Sequence, residues 1–177
     1  MNESHSPVPY PNSYWAVPDQ LLAGEHPGDV ADPAVETQLR ALLAAGVRTF
    51  VDLTEEHETG GYSILLRCFA EERGLKTAYV RIPIPDRGVP TEATMRCALD
   101  VLDRSIADGN PAFVHCFAGL GRTGTMVGCY LQRHGLATAE TVLARIVELR
   151  RGMPIGEEIS PHTPGQVHLV ETWKMGA

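Results

Sequence analysis

The sequence predicts an α/β protein with a central, largely parallel, twisted sheet and helices on both faces. Strand-length apolar runs alternate with stretches of helical period along most of the chain. That is the pattern of a parallel sheet wound through crossover helices. One helical stretch, Thr123 to His134, is apolar nearly all round and is expected to be buried. A length of 177 residues with 44% hydrophobic content suits one domain with a sizeable core.

The elements follow in order. Residues 1–13 are polar and proline-bearing and are expected to form a flexible or surface-laid arm, leaving 14–177 as a single domain. Tyr14 to Ala23 predicts two short strands around a Pro18-Asp19 turn. Val35, Leu39, Leu42 and Leu43 fall on one face of a helix that ends near Gly46. Thr49 to Leu53 is a buried strand, Ser63 to Arg73 a helix stopped by Gly74, and Thr77 to Ile82 another strand. Thr91 starts a helix whose face carries Met95, Leu99, Leu102 and Ile106, and Asp108-Gly109-Asn110-Pro111 breaks it. The strand at Ala112 follows, then a glycine-bearing loop and the helix Thr123 to His134. A helix over Thr138 to Arg151 and a last one over about Thr163 to Trp173 complete the chain.

The formal net charge of −7 argues against nucleic acid and against anionic membrane surfaces as general partners. No run approaches the roughly 18 apolar residues of a membrane span, and residues 1–13 carry no apolar signal core. A cytoplasmic monomer is therefore the expectation. Cys68, Cys97, Cys116 and Cys129 show no close metal spacing and are expected to be thiols, Cys68, Cys97 and Cys129 facing the core.

His115-Cys116-Phe117-Ala118-Gly119-Leu120-Gly121-Arg122-Thr123 carries the chemistry. It joins a strand to a helix through a glycine-rich loop. Backbone N–H groups and the helix dipole make such a junction an anion site. A cysteine at its base is expected to ionise readily, and an arginine closing it can grip two oxygens of one phosphate. Two other readings stay open on the residues alone. One is a buried cysteine with packing glycines; the other is a sulfur-transfer loop of rhodanese type, which lacks the Arg-Thr-Gly continuation.

The string from His115 through Arg122-Thr123-Gly124 resembles the signature loop of the protein tyrosine phosphatase superfamily. Its continuation to Met126 is similar to small atypical dual-specificity phosphatases, including the cyclin-dependent-kinase-associated and microbial types. The resemblance spans about Trp15 to Trp173, tightly at the loop and loosely elsewhere. It implies a cysteine-phosphatase fold and a phosphocysteine intermediate, without metal or cofactor. It assigns Cys116 as nucleophile and Arg122 as phosphate clamp. Thr123 is assigned to thiolate departure and His115 to holding the loop. The backbone of Phe117, Ala118, Gly119, Leu120 and Gly121 would cradle the phosphate.

An alkoxide leaves phosphorus badly without a proton donor. Pro85-Asp86-Arg87-Gly88 offers Asp86, and the pattern resembles the family's acid loop; it is equally good turn chemistry. Arg87 is expected to point to solvent rather than pair with Asp86. Thr163-Pro164-Gly165-Gln166 is a capping-box pattern, and the resemblance also suggests Gln166 as a residue that positions the hydrolytic water. Asp52 is expected to cap a turn rather than support the loop arginine, and Glu55-Glu56-His57-Glu58 to be a solvated loop rather than a metal cluster. Cys68, Cys97 or Cys129 could each close a disulfide on an oxidised Cys116.

The five loop residues between Cys116 and Arg122 carry no charge, which disfavours polyanionic head groups. A shallow pocket taking protein phosphotyrosine and phosphoserine/threonine follows by analogy, with Tyr10, Tyr14 and Trp15 as a conceivable wall. The alternatives are a small non-protein phosphoester, such as an inositol phosphate or nucleotide, and a phosphate-binding pseudophosphatase without turnover.

Overall fold

The computed structural model describes residues 7–177. Five strands form one sheet: β1 (Ser13–Val17), β2 (Leu21–Gly24), β3 (Thr49–Asp52), β4 (Ala78–Arg81) and β5 (Ala112–His115). The spatial order is β1-β2-β5-β3-β4. β1 pairs antiparallel to β2, and every other pairing is parallel. The sheet is thus largely parallel with one antiparallel edge, formed by the hairpin that Pro18-Asp19 announces.

Six helices flank it: α1 (Ala34–Ala44), α2 (Ser63–Glu71), α3 (Glu92–Ala107), α4 (Gly121–Arg133), α5 (Val142–Leu149) and α6 (Pro164–Thr172). Successive strand residues point to opposite faces, so each strand feeds two cores. Trp15, Leu22, Phe50 and Phe113 pack under α1 and α2. Tyr14, Leu21, Val51, Ala112 and Val114 pack under the side chains of α3, α4, α5 and α6. Each fully buried Leu or Phe contributes about 1.5–3 kcal/mol. α4 lies innermost, with every residue from Gly121 to Gln132 buried. Among the described residues no helix is long and apolar enough to cross a membrane.

Two boundaries differ from expectation by more than two residues. Of the arm over residues 1–13, residues 1–6 lie outside the described residues, whereas Tyr10 is buried and Ser13 already belongs to β1. The Tyr10 hydroxyl donates to the Glu25 carbonyl and the Ser13 hydroxyl to that of Tyr10, which fastens this stretch to the fold. α5 starts at Val142, not Thr138. The Thr138 N–H donates to Thr141 Oγ1, so residues 138–141 form a turn tied by a side chain, and the Thr138 carbonyl accepts from the Val142 N–H where α5 begins.

The register fixes where a ligand meets the sheet. Gly24 and Asp52 both stand opposite His115, and Asp52 stands opposite Arg81. Four parallel strands therefore end in one row. Ligands of open α/β sheets bind beyond that carboxyl edge, and Cys116 is the first residue past the central strand β5.

Candidate active site

The Cys116 loop runs from the end of β5 to the first residue of α4. Gly119 turns it with φ +71, a backbone that L side chains rarely adopt. A Cβ there would lie 2.6 Å from the Gly24 and Glu25 backbone. From outside, the His26 N–H donates to the Phe117 carbonyl and the Ser160 hydroxyl to that of Leu120. These bonds spend the loop's carbonyls on the protein. Among the described residues, no N–H from Phe117 to Thr123 has a protein acceptor, and no side chain caps α4. A run of free N–H donors at a helix N-terminus is a built anion cradle.

Arg122, only 2% exposed, closes the cradle. Its Nη1 donates to Glu58 Oε2 at 2.6 Å and to the Ile84 carbonyl at 3.0 Å. Its Nη2 donates to Glu58 Oε1 at 2.7 Å and to Asp86 Oδ1 at 3.3 Å. Burial alone would weaken the guanidinium charge, but the Glu58 bonds outweigh it and raise the pKa above its usual value. Glu58 thus holds the end of the fork. The outer Nη2 hydrogen reaches Asp86, and among the described residues Nε has no protein acceptor and remains for an anion. Cys116, Phe117, Ala118, Leu120, Gly121 and Arg122 of the loop line one cavity of about 180 Å³ together with Glu58, Asp86, Arg87 and His162.

His115 lies behind the loop, fully buried. Its Nδ1 faces the Cys116 carbonyl at 3.1 Å, so Nδ1 carries the proton, and Nε2 accepts from the Tyr62 hydroxyl at 2.6 Å. Burial holds its pKa below the usual value, against the opposing pull of Asp52. Asp52 accepts from Thr54, Tyr79 and Arg81. Burial would raise its pKa, yet His115 and the Thr54 and Tyr79 bonds outweigh it and bring it down to about 2.

Comparison with known proteins decides what this cradle belongs to. Residues 26–136 match the family model described as "Polymorphic toxin system, DSP-PTPase phosphatase". The chain belongs to this phosphatase family. It is similar to dual specificity protein phosphatase CDC14C of Symphalangus syndactylus, 41% identical over 151 residues, 81% of this chain and 29% of that one. The chain spans less than two fifths of the length of the curated relatives it matches. Among solved structures it is similar to Tk-PTP in its active form, with TM-score 0.70, 19% identity, and 93% and 97% of the two chains covered. PTPMT1 in complex with PI(5)P follows at TM-score 0.69 and 22% identity, covering 92% and 94%. These likenesses establish the cysteine-phosphatase fold.

Within this member of the family, Cys116, Arg122 and Asp86 meet in one cavity, while His115, Thr123 and Gln166 stand behind it. The Thr123 hydroxyl donates to the Gly24 carbonyl at 3.4 Å. Gln166 completes the capping box of α6. Arg87 is exposed, lines the cavity and forms no ion pair among the described residues.

Three expectations are corrected and one is extended. The segment Glu55 to Glu58 is not merely a solvated loop, because Glu58 grips Arg122. The available clue was position: the segment follows β3, the strand beside β5, and a buried arginine needs a carboxylate to orient it. Besides capping its turn through Thr54, Asp52 pairs with Arg81. Cys68 and Cys97 are exposed, each two positions after a buried residue (Leu66, Met95) and so turned off the apolar face; all four cysteines are free. Finally, Tyr14 and Trp15 line a separate cavity of about 440 Å³ between β1 and the end of α5, not a wall of the site.

Proposed function

We propose that this phosphatase hydrolyses phosphomonoesters of protein tyrosine, and of serine and threonine, through a phosphocysteine intermediate. The observation that carries the reading is the meeting of Cys116, Arg122 and Asp86 in one cavity of about 180 Å³. Cys116 Sγ attacks phosphorus as the thiolate. The Arg122 edge and the loop N–H groups hold the phosphoryl oxygens, whose charge they also meet in the transition state. The bond from phosphorus to the leaving oxygen breaks as Asp86 gives that oxygen its proton. Water then attacks phosphorus, the S–P bond breaks, Asp86 takes the water's proton, and inorganic phosphate leaves. Phe117, 58% exposed at the cavity mouth, offers an aromatic face to an aryl leaving group.

The test is phosphate release from a small aryl phosphate, with chelator and reductant, over acidic to alkaline pH, for the parent and Cys116→Ser. Metal-independent release that vanishes in the variant is expected. Parental rates in Cys116→Ser would sink the mechanism, and phosphopeptide binding without turnover would favour a pseudophosphatase. A second reading, a non-protein phosphoester, draws on the structural likeness to PTPMT1 seen with PI(5)P. The uncharged loop from Phe117 to Gly121 weighs against a polyanionic head group. Phosphopeptides, inositol phosphates and nucleotides assayed side by side separate the two readings.

A further inference from the structure

We propose that Gln166 is a positioning residue that clamps the Asp86 turn over the Cys116 loop, so that its effect falls on departure of the leaving group. The inference rests on the acid role given to Asp86 above. Gln166 is fully buried, and both ends of its amide are engaged. Its Oε1 accepts from the His162 N–H at 3.0 Å and the Thr163 N–H at 3.2 Å. Its Nε2 donates to the Gly88 carbonyl at 3.0 Å. The same amide presses on the cradle: a Cβ on Gly121 would lie 3.0 Å from Oε1 and 3.2 Å from Nε2. One side chain therefore touches the α6 cap, the start of the phosphate-binding helix and the acid turn.

The turn needs such a clamp. The Gly88 N–H closes it on the Pro85 carbonyl at 2.8 Å, with Asp86 and Arg87 between. Arg87 sits at φ +57, a left-handed conformation that an arginine adopts only under strain. Strain of that kind persists where the surroundings over-determine the backbone. Gln166 supplies that hold from one side. Val89 supplies a second contact, its Cγ2 lying 2.9 Å from where a Gly165 Cβ would be. Remote in sequence from Asp86, Gln166 fixes where the Asp86 carboxyl stands relative to the cradle.

The experiment compares kcat/KM, which reports steps up to the phosphocysteine, across aryl phosphates of rising leaving-group basicity. These are 2,4-dinitrophenyl, 4-nitrophenyl and phenyl phosphate, given to the parent, Gln166→Glu and Asp86→Asn. Glutamate suits the capping box and keeps the acceptor for His162 and Thr163, so α6 is retained. It places an oxygen against the Gly88 carbonyl, which severs only the clamp. Gln166→Glu is expected to lose about tenfold on phenyl phosphate and less than about twofold on the dinitrophenyl ester, with Asp86→Asn steeper still. A uniform loss, or none, in Gln166→Glu beside a steep Asp86→Asn series would overturn the proposal alone. So would a burst of phenol with accumulated phosphocysteine, which would place Gln166 on the water step. An Asp86→Asn series as flat as the parent's would overturn the acid reading, and the proposal with it.

Discussion

The Glu58 carboxylate holds the end of the Arg122 guanidinium through two N–H···O bonds, 2.6 Å from Nη1 and 2.7 Å from Nη2. Arginine and carboxylate match as two parallel forks, which fixes the plane of the guanidinium as well as its place. The Ile84 carbonyl takes another Nη1 contact. Together they fix the guanidinium at the cavity it shares with Cys116. The Arg122 bonds hold Glu58 below the usual carboxylate range. A depressed carboxylate contributes stability above its ordinary pKa and loses it as pH falls through the folded value. The clamp thus stays charged at mildly acidic pH.

Glu58→Gln should therefore lower kcat/KM by about tenfold and weaken inhibition by inorganic phosphate. It should also cost about 1–3 kcal/mol of stability, because a buried guanidinium loses a charged acceptor. Steady-state kinetics, phosphate inhibition and urea unfolding check this. Phosphate binding more tightly to the variant would show that Glu58 competes with the ligand instead of orienting Arg122.

Gly119→Ala should remove activity by about 100-fold or more and destabilise the fold by about 1–3 kcal/mol. The added Cβ meets backbone atoms of Gly24 and Glu25, at the end of β2, and neither can swing aside as a side-chain tip would. The φ of +71 adds strain of its own. Kinetics and thermal unfolding read the two effects separately. A variant with parental kcat/KM would mean that the loop does not need this turn.

The order of elements was legible in the sequence because β and helical periods differ sharply, and because Thr91 and Thr163 cap their helices through their own hydroxyls. The cradle was legible for a similar reason: Cys116 to Arg122 is local, and one strand-loop-helix unit holds it. What the sequence hid is long-range. Glu58 and Arg122 are 64 residues apart, and only the pairing of β3 with β5 brings them together. The reach of Gln166 across to Gly88 was hidden likewise, since its local capping role already explains the residue. The start of α5 was placed four residues early because apolar period marks the face of a helix and not its first turn, and the Thr138 carbonyl already accepts from the Val142 N–H.

Tyr62→Phe should lower stability by about 1–3 kcal/mol with the fold intact. Tyr62 and His115 are both fully buried, and the lost hydroxyl leaves Nε2 without its donor. The ring contacts of Tyr62 with Phe50 and Tyr79 survive the change. Urea unfolding gives the cost. A neutral result would mean that Nε2 finds another donor.

His26 is 9% exposed and packs edge-on to both Tyr62 and His115. Burial, then repulsion from His115, brings its pKa down to about 4. Its Nδ1 accepts from the Gly28 N–H, so the native form is the neutral ring. The sign follows from which state binds the proton. Above the ordinary histidine value near 6.5, both folded and unfolded His26 are neutral and pH does not matter. Below it the unfolded chain takes up a proton that the folded chain refuses, so stability falls with pH until about 4, where the folded ring titrates too. A shift of this size amounts to about 3 kcal/mol at most. Urea midpoints should therefore decline between neutral pH and about 4.5. His26→Asn supplies a side-chain oxygen for the Gly28 N–H and has nothing to titrate, so its midpoints should decline less over that range, whatever the substitution costs at neutral pH. Equal slopes in parent and variant would assign the acid sensitivity to other groups.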